Sequence, residues 1–153
     1  MKPAPKLTPF LWFDGQAEAA ARFYTSVFPD SRVLEVAGVP GGPAEGNALV
    51  AFEIGKQRFE AVDGGPMYRF TPAISFTIAC DSQDEIDHYH ERLSEQGKPM
   101  PCGWIEDRFG LSWQVVPSML SDIMAGNPDA VMDALLKMQK IDIEQLRAAS
   151  GAR

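Results

Sequence analysis

Leu7-Thr8-Pro9-Phe10-Leu11-Trp12-Phe13 returns later in the chain as Phe70-Thr71-Pro72-Ala73-Ile74-Ser75-Phe76, and each copy leads into an amphipathic stretch with helical spacing. The first stretch carries Arg22-Phe23-Tyr24 and the second Asp87-His88-Tyr89. Each half then closes on a similar strand-like run, Arg58-Phe59-Glu60-Ala61-Val62 in the first and Ser112-Trp113-Gln114-Val115-Val116 in the second. The order strand, helix, three strands is therefore expected twice. Units of this size cannot bury their apolar faces alone, so two βαβββ modules should pack on one another. A duplicated curved sheet encloses a cavity, and function is expected there.

The rest of the chain fits that reading. At 153 residues and 45% hydrophobic, it has enough apolar material for the core of one domain. The modules are expected at about 7–66 and 70–117, with C-terminal helices at about 118–150. A net charge of −7 argues against nucleic acid, whose phosphates need a basic surface, and against an anionic membrane surface. The start Met1-Lys2-Pro3-Ala4-Pro5-Lys6 has no apolar run behind it, and no stretch is long and apolar enough to span a bilayer. Cys80 and Cys102 form no zinc pattern and no CxxC, as expected of plain thiols in a cytoplasmic protein.

Punctuation sets the boundaries. Asp14-Gly15 turns the chain, and Ala17, Ala20, Ala21, Tyr24, Val27 and Phe28 follow helical spacing until Pro29. Residues 32–37 read as a strand and 38–46 as a Gly/Pro-rich loop. Gly55-Lys56 joins two strands as a hairpin. Ser82 to Gln96 reads as a helix with Ile86, Tyr89 and Leu93 on one face. After Pro117 only helical patterns follow. Ser118 is a candidate cap, Asn127-Pro128-Asp129 is a strong start for a helix through Gln139, and Asp142 caps a last short helix. The tail's apolar face is expected to use Met119, Met124, Met132, Leu135 and Met138, as adaptable core against the sheet or a partner subunit.

Two stretches resemble a known family. The run from Thr8 to Ala20, with Phe23-Tyr24 and Val27-Phe28-Pro29, is similar to the PhnB-like branch of the glyoxalase/bleomycin resistance/dioxygenase (vicinal oxygen chelate) superfamily. Pro101-Cys102-Gly103-Trp104 and Asp107-Arg108-Phe109-Gly110-Leu111-Ser112-Trp113-Gln114 resemble its members labelled 3-demethylubiquinone-9 3-methyltransferase-like. The resemblance implies an α+β fold of paired βαβββ modules, a homodimer, and a ligand cavity in each curved sheet. It also implies, where the superfamily does chemistry, a divalent metal held by His, Gln or Glu from the first and last strand of each module. Carried over, the first-strand positions fall on Thr8 or Phe10, depending on register, and on Ala73. The last-strand positions fall on Glu60 and Gln114. Glu60 is a good anionic ligand and Gln114 a neutral one, whereas Phe10 and Ala73 cannot ligate. Both histidines, His88 and His90, lie on one helix at a spacing that separates their faces. A metal needs at least three protein ligands in fixed geometry, so no metal of the superfamily type and no cofactor is expected.

Strand alternation puts Thr8, Phe10 and Trp12 on one face and Leu7, Leu11 and Phe13 on the other. Ala73, Ser75, Thr77, Ser112 and Gln114 are expected to share the cavity face of the second module. Thr8, Phe10, Trp12, Ser75, Trp104 and Ser112 are thus candidate ligand-binding residues, with Trp104 on a loop as a candidate lid or dimer contact. Glu60 is the candidate general base and Gln114 the candidate orienter. An aromatic wall with a few polar groups is the usual make-up of a small-molecule pocket.

The function expected is a metal-free small-molecule binding protein or enzyme. The alternative is pure ligand sequestration, as in bleomycin-resistance-like proteins, with a planar ligand stacked on Trp12 and Trp104. A methyltransferase, as the family label suggests, is disfavoured. Gly41-Gly42-Pro43 and Gly64-Gly65-Pro66 lack the glycine spacing between strand and helix that holds a nucleoside-bearing donor. No Ser-His-Asp or Cys-His arrangement can be assembled from these residues.

Overall fold

The computed structural model describes residues 5–151. They form two compact units, one ending at Arg69 and the other beginning at Phe70. In the first, β1 (Phe10–Phe13) is followed by α1 (Ala17–Val27), β2 (Ser31–Gly38), β3 (Ala48–Ile54) and β4 (Gln57–Asp63). The four strands make one open mixed sheet in the order β1-β4-β3-β2, with β1 parallel to β4 and the other pairs antiparallel.

Alternation makes one face of this sheet the core. Leu11, Phe13, Val50, Phe52, Phe59 and Ala61 are buried there together with Ala17, Ala20, Ala21, Tyr24 and Val27 of α1. The small alanines let the helix lie close, and Phe52 stacks on Phe59 at 5.1 Å. The start of α1 is tied to the sheet by Asp63, whose Oδ1 accepts the Ala17 N–H at 2.8 Å. That bond satisfies one of the donors every helix start leaves open.

The second unit repeats the plan with β5 (Ser75–Cys80), α2 (Gln83–Ser94), β6 (Lys98–Pro99), β7 (Trp104–Glu106) and β8 (Ser112–Pro117). Its sheet runs β5-β8-β7-β6, again open, with β5 parallel to β8. Ser82 caps α2 by accepting the Glu85 N–H, and Ile86 and Leu93 are buried against Ile105, Trp113 and Val115 on the helix side of the sheet. The α+β order of two βαβββ units followed by helices is the one expected from the repeat.

Three helices complete the second unit: α3 (Leu120–Gly126), α4 (Pro128–Leu136) and α5 (Ile143–Ser150). Asn127 and Asp142 cap α4 and α5 as expected. Ser118 does not cap α3, because its hydroxyl is donated to Asp81 Oδ1 at 2.6 Å. The apolar face also differs from expectation. Ile123, Val131, Ile141, Ile143 and Leu146 are buried with Leu135, whereas Met132 is exposed. β-branched and leucine side chains hold one packed shape, and the flexible methionines are left at the margin.

The tail is docked on its own unit through backbone bonds. Cys102 N–H donates to Met138 O and Gly103 N–H to Gln139 O, both at 2.8 Å. Gln83 completes the seam with its amide: Nε2 donates to Ile141 O and Oε1 accepts the Ile143 N–H, each at 2.9 Å.

Candidate functional site

The parallel register decides which residues stand at equivalent places in the two sheets. Phe10 lies opposite Glu60 on β1 and β4, and Thr77 lies opposite Gln114 on β5 and β8. Taking Glu60 and Gln114 as the equivalent pair, the repeat partner of Phe10 is Thr77, four residues beyond Ala73. Exposure agrees, since Phe10 and Thr77 are both exposed while Phe13 and Cys80, three residues on, are both buried.

The Thr-Pro identity in the two copies therefore misaligns them. Pro9 adjoins β1, and its carbonyl accepts the Glu60 N–H at 3.0 Å. Thr71-Pro72 instead opens a turn in which the Thr71 hydroxyl accepts the Ala73 N–H, and β5 starts only at Ser75. A threonine hydroxyl bonded two residues ahead is a local turn device that competes with extension. Ala73 thus lies in a turn, and Thr8 precedes β1.

On the open face of the first sheet Phe10 and Trp12 stand beside Glu60 and Val62, with Ala51 and Leu49 in the next strand. Phe10 is a large apolar side chain 55% exposed, whereas Ala51 and Val62 on the same face are buried. The Glu60 carboxylate is held loosely by Arg58, at 3.4 Å between Oε1 and Nη2, with both side chains partly exposed. Such a pair contributes little to stability and leaves the second carboxylate oxygen available.

Trp12 is pinned from above. Its indole N–H donates to Gly65 O at 2.9 Å, and the Tyr68 ring meets it edge-on with centroids 5.0 Å apart. Gly64 passes so close that a Cβ there would sit 2.2 Å from the indole.

On the corresponding face of the second sheet Trp104, Gln114 and Thr77 form one row across three strands, and Glu106, Ser112 and Ser75 form the next. Trp104 is the first residue of a strand and not part of a loop. It stands directly opposite Gln114, the cross-strand placement that lets a ring and an amide touch one ligand. Gln114 Nε2 donates to Ser75 Oγ at 2.9 Å, which fixes the amide and leaves Oε1 as an acceptor. Ser112 is 0% exposed, and its hydroxyl has no hydrogen-bond partner.

The four superfamily ligand positions offer the Phe10 ring, the Arg58-paired Glu60 carboxylate, the Thr77 hydroxyl and the Ser75-bonded Gln114 amide. One carboxylate and two neutral oxygens do not make a divalent-metal donor set. Among the described residues no group of three or more His, Cys, Asp or Glu side chains is placed to hold a metal.

The Asp107–Leu111 signature is structural. Asp107, 3% exposed, accepts the Phe109 and Leu111 N–H groups on Oδ1 and the Trp113 indole on Oδ2. Arg108 pairs with Glu95 at 3.1 Å. One cleft of about 400 Å³ lies between Asp81–Gln83 and Asp142–Glu144, and another of about 490 Å³ lies at Asp30–Arg32 and Lys56. Neither is lined by a candidate catalytic or ligand-binding residue. Tyr68 is the addition the sequence reading missed. Thr77 was expected on the cavity face, but its equivalence to Phe10 comes only from the strand register.

Known proteins are similar to this chain in sequence or in fold. The family described as 3-demethylubiquinone-9 3-methyltransferase matches residues 5–116. A Bacillus cereus PhnB protein, described under the same methyltransferase name, is 33% identical with a TM-score of 0.64, covering 73% of this chain and 99% of its own. A protein from Pseudomonas aeruginosa is 20% identical with a TM-score of 0.62, covering 74% of this chain and 98% of its own. The fosfomycin resistance protein FosX from Mesorhizobium loti shares the fold at 17% identity and a TM-score of 0.56, covering 81% of this chain and 99% of its own. No curated protein matches the chain. The length of the family match and the identity to the Bacillus protein place this chain in the family described as 3-demethylubiquinone-9 3-methyltransferase, together with that PhnB protein.

Proposed function

We propose that this chain is a small-molecule binding protein or enzyme that works without the superfamily's metal and takes a mostly apolar, aromatic ligand on its open sheet faces. The observation that carries the reading is an aromatic ring directly across from a polar side chain in each unit, on strands that are not equivalent: Phe10 of β1 across from Glu60, and Trp104 of β7 across from Gln114. In this reading Glu60 is base or hydrogen-bond acceptor, Gln114 orients the ligand, and Phe10, Trp12, Ser75 and Trp104 wall the site, with Thr8 at its margin; Ser112, expected there, is fully buried and out of a ligand's reach. The modules, about 7–66 and 70–117, and the tail, about 118–150, act as one domain, and two chains form a homodimer. Free thiols at Cys80 and Cys102 accord with a reducing, cytoplasmic setting. No described helix is long and apolar enough to cross a membrane.

Elemental analysis of the purified protein tests the metal-independent reading. Substoichiometric metal is expected, and one equivalent of zinc, nickel, iron or manganese would overturn it. Size-exclusion chromatography with light scattering reads the dimer.

Sequestration without chemistry is the second reading. It is favoured by Glu60 and Gln114 each having a protein partner already, Arg58 and Ser75. Glu60→Gln separates the two: lost turnover with affinity kept supports an enzyme, and unchanged behaviour supports sequestration. The methyl transfer in the family's name has no glycine-rich donor loop to support it in this chain. Calorimetric titration with S-adenosylmethionine is expected to give no heat, and saturable binding would restore that activity.

A further inference from the structure

The five residues after β4, Gly64-Gly65-Pro66-Met67-Tyr68, form a strap over Trp12 on the edge strand β1. Three separate contacts hold it there. Gly64 is pressed on the indole so closely that no other residue fits. Gly65, at φ +98°, turns its carbonyl to the indole N–H. Tyr68 then lays its ring edge-on against Trp12 at 5.0 Å and 78°. Yet Tyr68 is 61% exposed and Met67 is 74% exposed. The glycine half of the strap is fixed, and the Tyr68 half is lightly held.

A ring at that place holds a position a ligand would want. Trp12 is opposite Val62, so Glu60 is its diagonal neighbour on the same face, roughly 7–8 Å away in an ordinary ladder and within reach of a substituent on a ring stacked at Trp12. Glu60 accepts hydrogen bonds and carries negative charge, which favours a hydroxylated ring over an acidic one.

We propose that Tyr68 is a built-in occupant of the Trp12 subsite, and that the ligand of this face is a planar, hydroxyl-bearing aromatic ring that displaces it. The inference rests on the sheet-face reading above and adds the ligand class and the residue that competes with it. The strap makes Tyr68 a specificity gate. A ligand must out-compete an intramolecular ring, so a ring with a hydroxyl that reaches Glu60 has the advantage over one without.

The test uses the full chain with p-cresol as the probe and toluene as its hydroxyl-free counterpart, followed through the indole N–H resonances of Trp12 and Trp104 in two-dimensional NMR. Trp12 is assigned by loss of its signal in Trp12→Phe. The expected result is a saturable p-cresol shift at Trp12, weaker for toluene, and p-cresol binding about two- to tenfold tighter in Tyr68→Ser, the range one aromatic contact spans. Tyr68→Phe keeps the competing ring and is expected to stay within about twofold of the parent. Equal or weaker binding in Tyr68→Ser would make Tyr68 a wall of the site and overturn the proposal. A shift confined to Trp104 overturns it too, while leaving the sheet-face reading intact. No shift at either tryptophan, from either probe, sinks both.

Discussion

The carboxylate of Asp107 accepts the indole N–H of Trp113 at 2.8 Å, deep in the second unit, while its other oxygen closes the β7–β8 turn on Phe109 and Leu111. A buried carboxylate satisfied by three donors organises a turn and a core side chain together. Asp107→Ala leaves those donors without partners and is expected to cost about 2–4 kcal/mol in urea unfolding. Asp107→Asn preserves shape but offers only one accepting oxygen, so a smaller loss is expected. A loss of ligand binding with stability unchanged would instead make Asp107 a site residue.

Gly64 has no room for a side chain. A Cβ at this position would lie 2.2 Å from the Trp12 indole, so Gly64→Ala must move the strap or the ring. The expected cost is about 1–3 kcal/mol, the range for overpacking. Thermal unfolding reads it, and a shifted Trp12 indole resonance shows that the strap has moved.

His90 couples the second unit to pH. Burial first, and the nearby Lys140 second, push its imidazole below the ordinary 6.5, while Asp87 opposes them. Its Nε2 is buried without a partner, so the neutral ring is the form this site suits. A group whose folded pKa is lowered keeps its full contribution above 6.5, and stability falls as pH drops from there through the folded value. His90→Gln is expected to flatten melting temperature against pH below 6.5 and to leave the curve above it unchanged. A slope retained in the variant would assign it to other groups. Asp87, held below its ordinary 3.8 by its Gln83 hydrogen bond and then Lys140, loses its contribution only as pH falls below that value, so the two windows are separate.

Cys80 is protected from thiolate chemistry. Burial, then Glu85 and Asp81, push its thiol up to about 12. Alkylation with iodoacetamide at pH 8 is expected to label Cys102, which is partly exposed, and to spare Cys80 until the protein unfolds. Peptide mapping by mass spectrometry checks this, and native labelling at Cys80 would contradict it.

Gln83 is the hinge pin of the tail. Removing its amide in Gln83→Ala frees the Ile141 carbonyl and the Ile143 N–H. Faster hydrogen exchange over 138–146 is expected, with β7 and β8 unaffected. Uniform exchange loss across the unit would show that the tail and sheet unfold together.

Much of the fold is legible because it rests on local patterning. Alanine spacing in α1, the Ser82, Asn127 and Asp142 caps, and the Gly55-Lys56 turn each act within a few residues. The parallel pairing of β5 is less legible. Matching Thr71-Pro72 to Thr8-Pro9 selects Ala73, whereas the strand register selects Thr77. A parallel neighbour is reached through a long crossover, and where its first residue pairs is set by helix packing in between. The tail's core is hard to read for a related reason. Periodicity marks a face but not which methionines stay at its edge.

Two βαβββ units with a helical tail, and the aromatic and polar residues of their strands, can be read from the amino acids alone. Alternation, capping and turn chemistry make those decisions, and they act over a few neighbouring residues. That Trp104 faces Gln114, that Ser112 is sealed, and that Tyr68 lies on Trp12 emerge only in the folded chain. Each depends on the register of one strand against another or on a strap folding back over an edge strand. Register and fold-back are collective outcomes of packing, so no single stretch of sequence carries them.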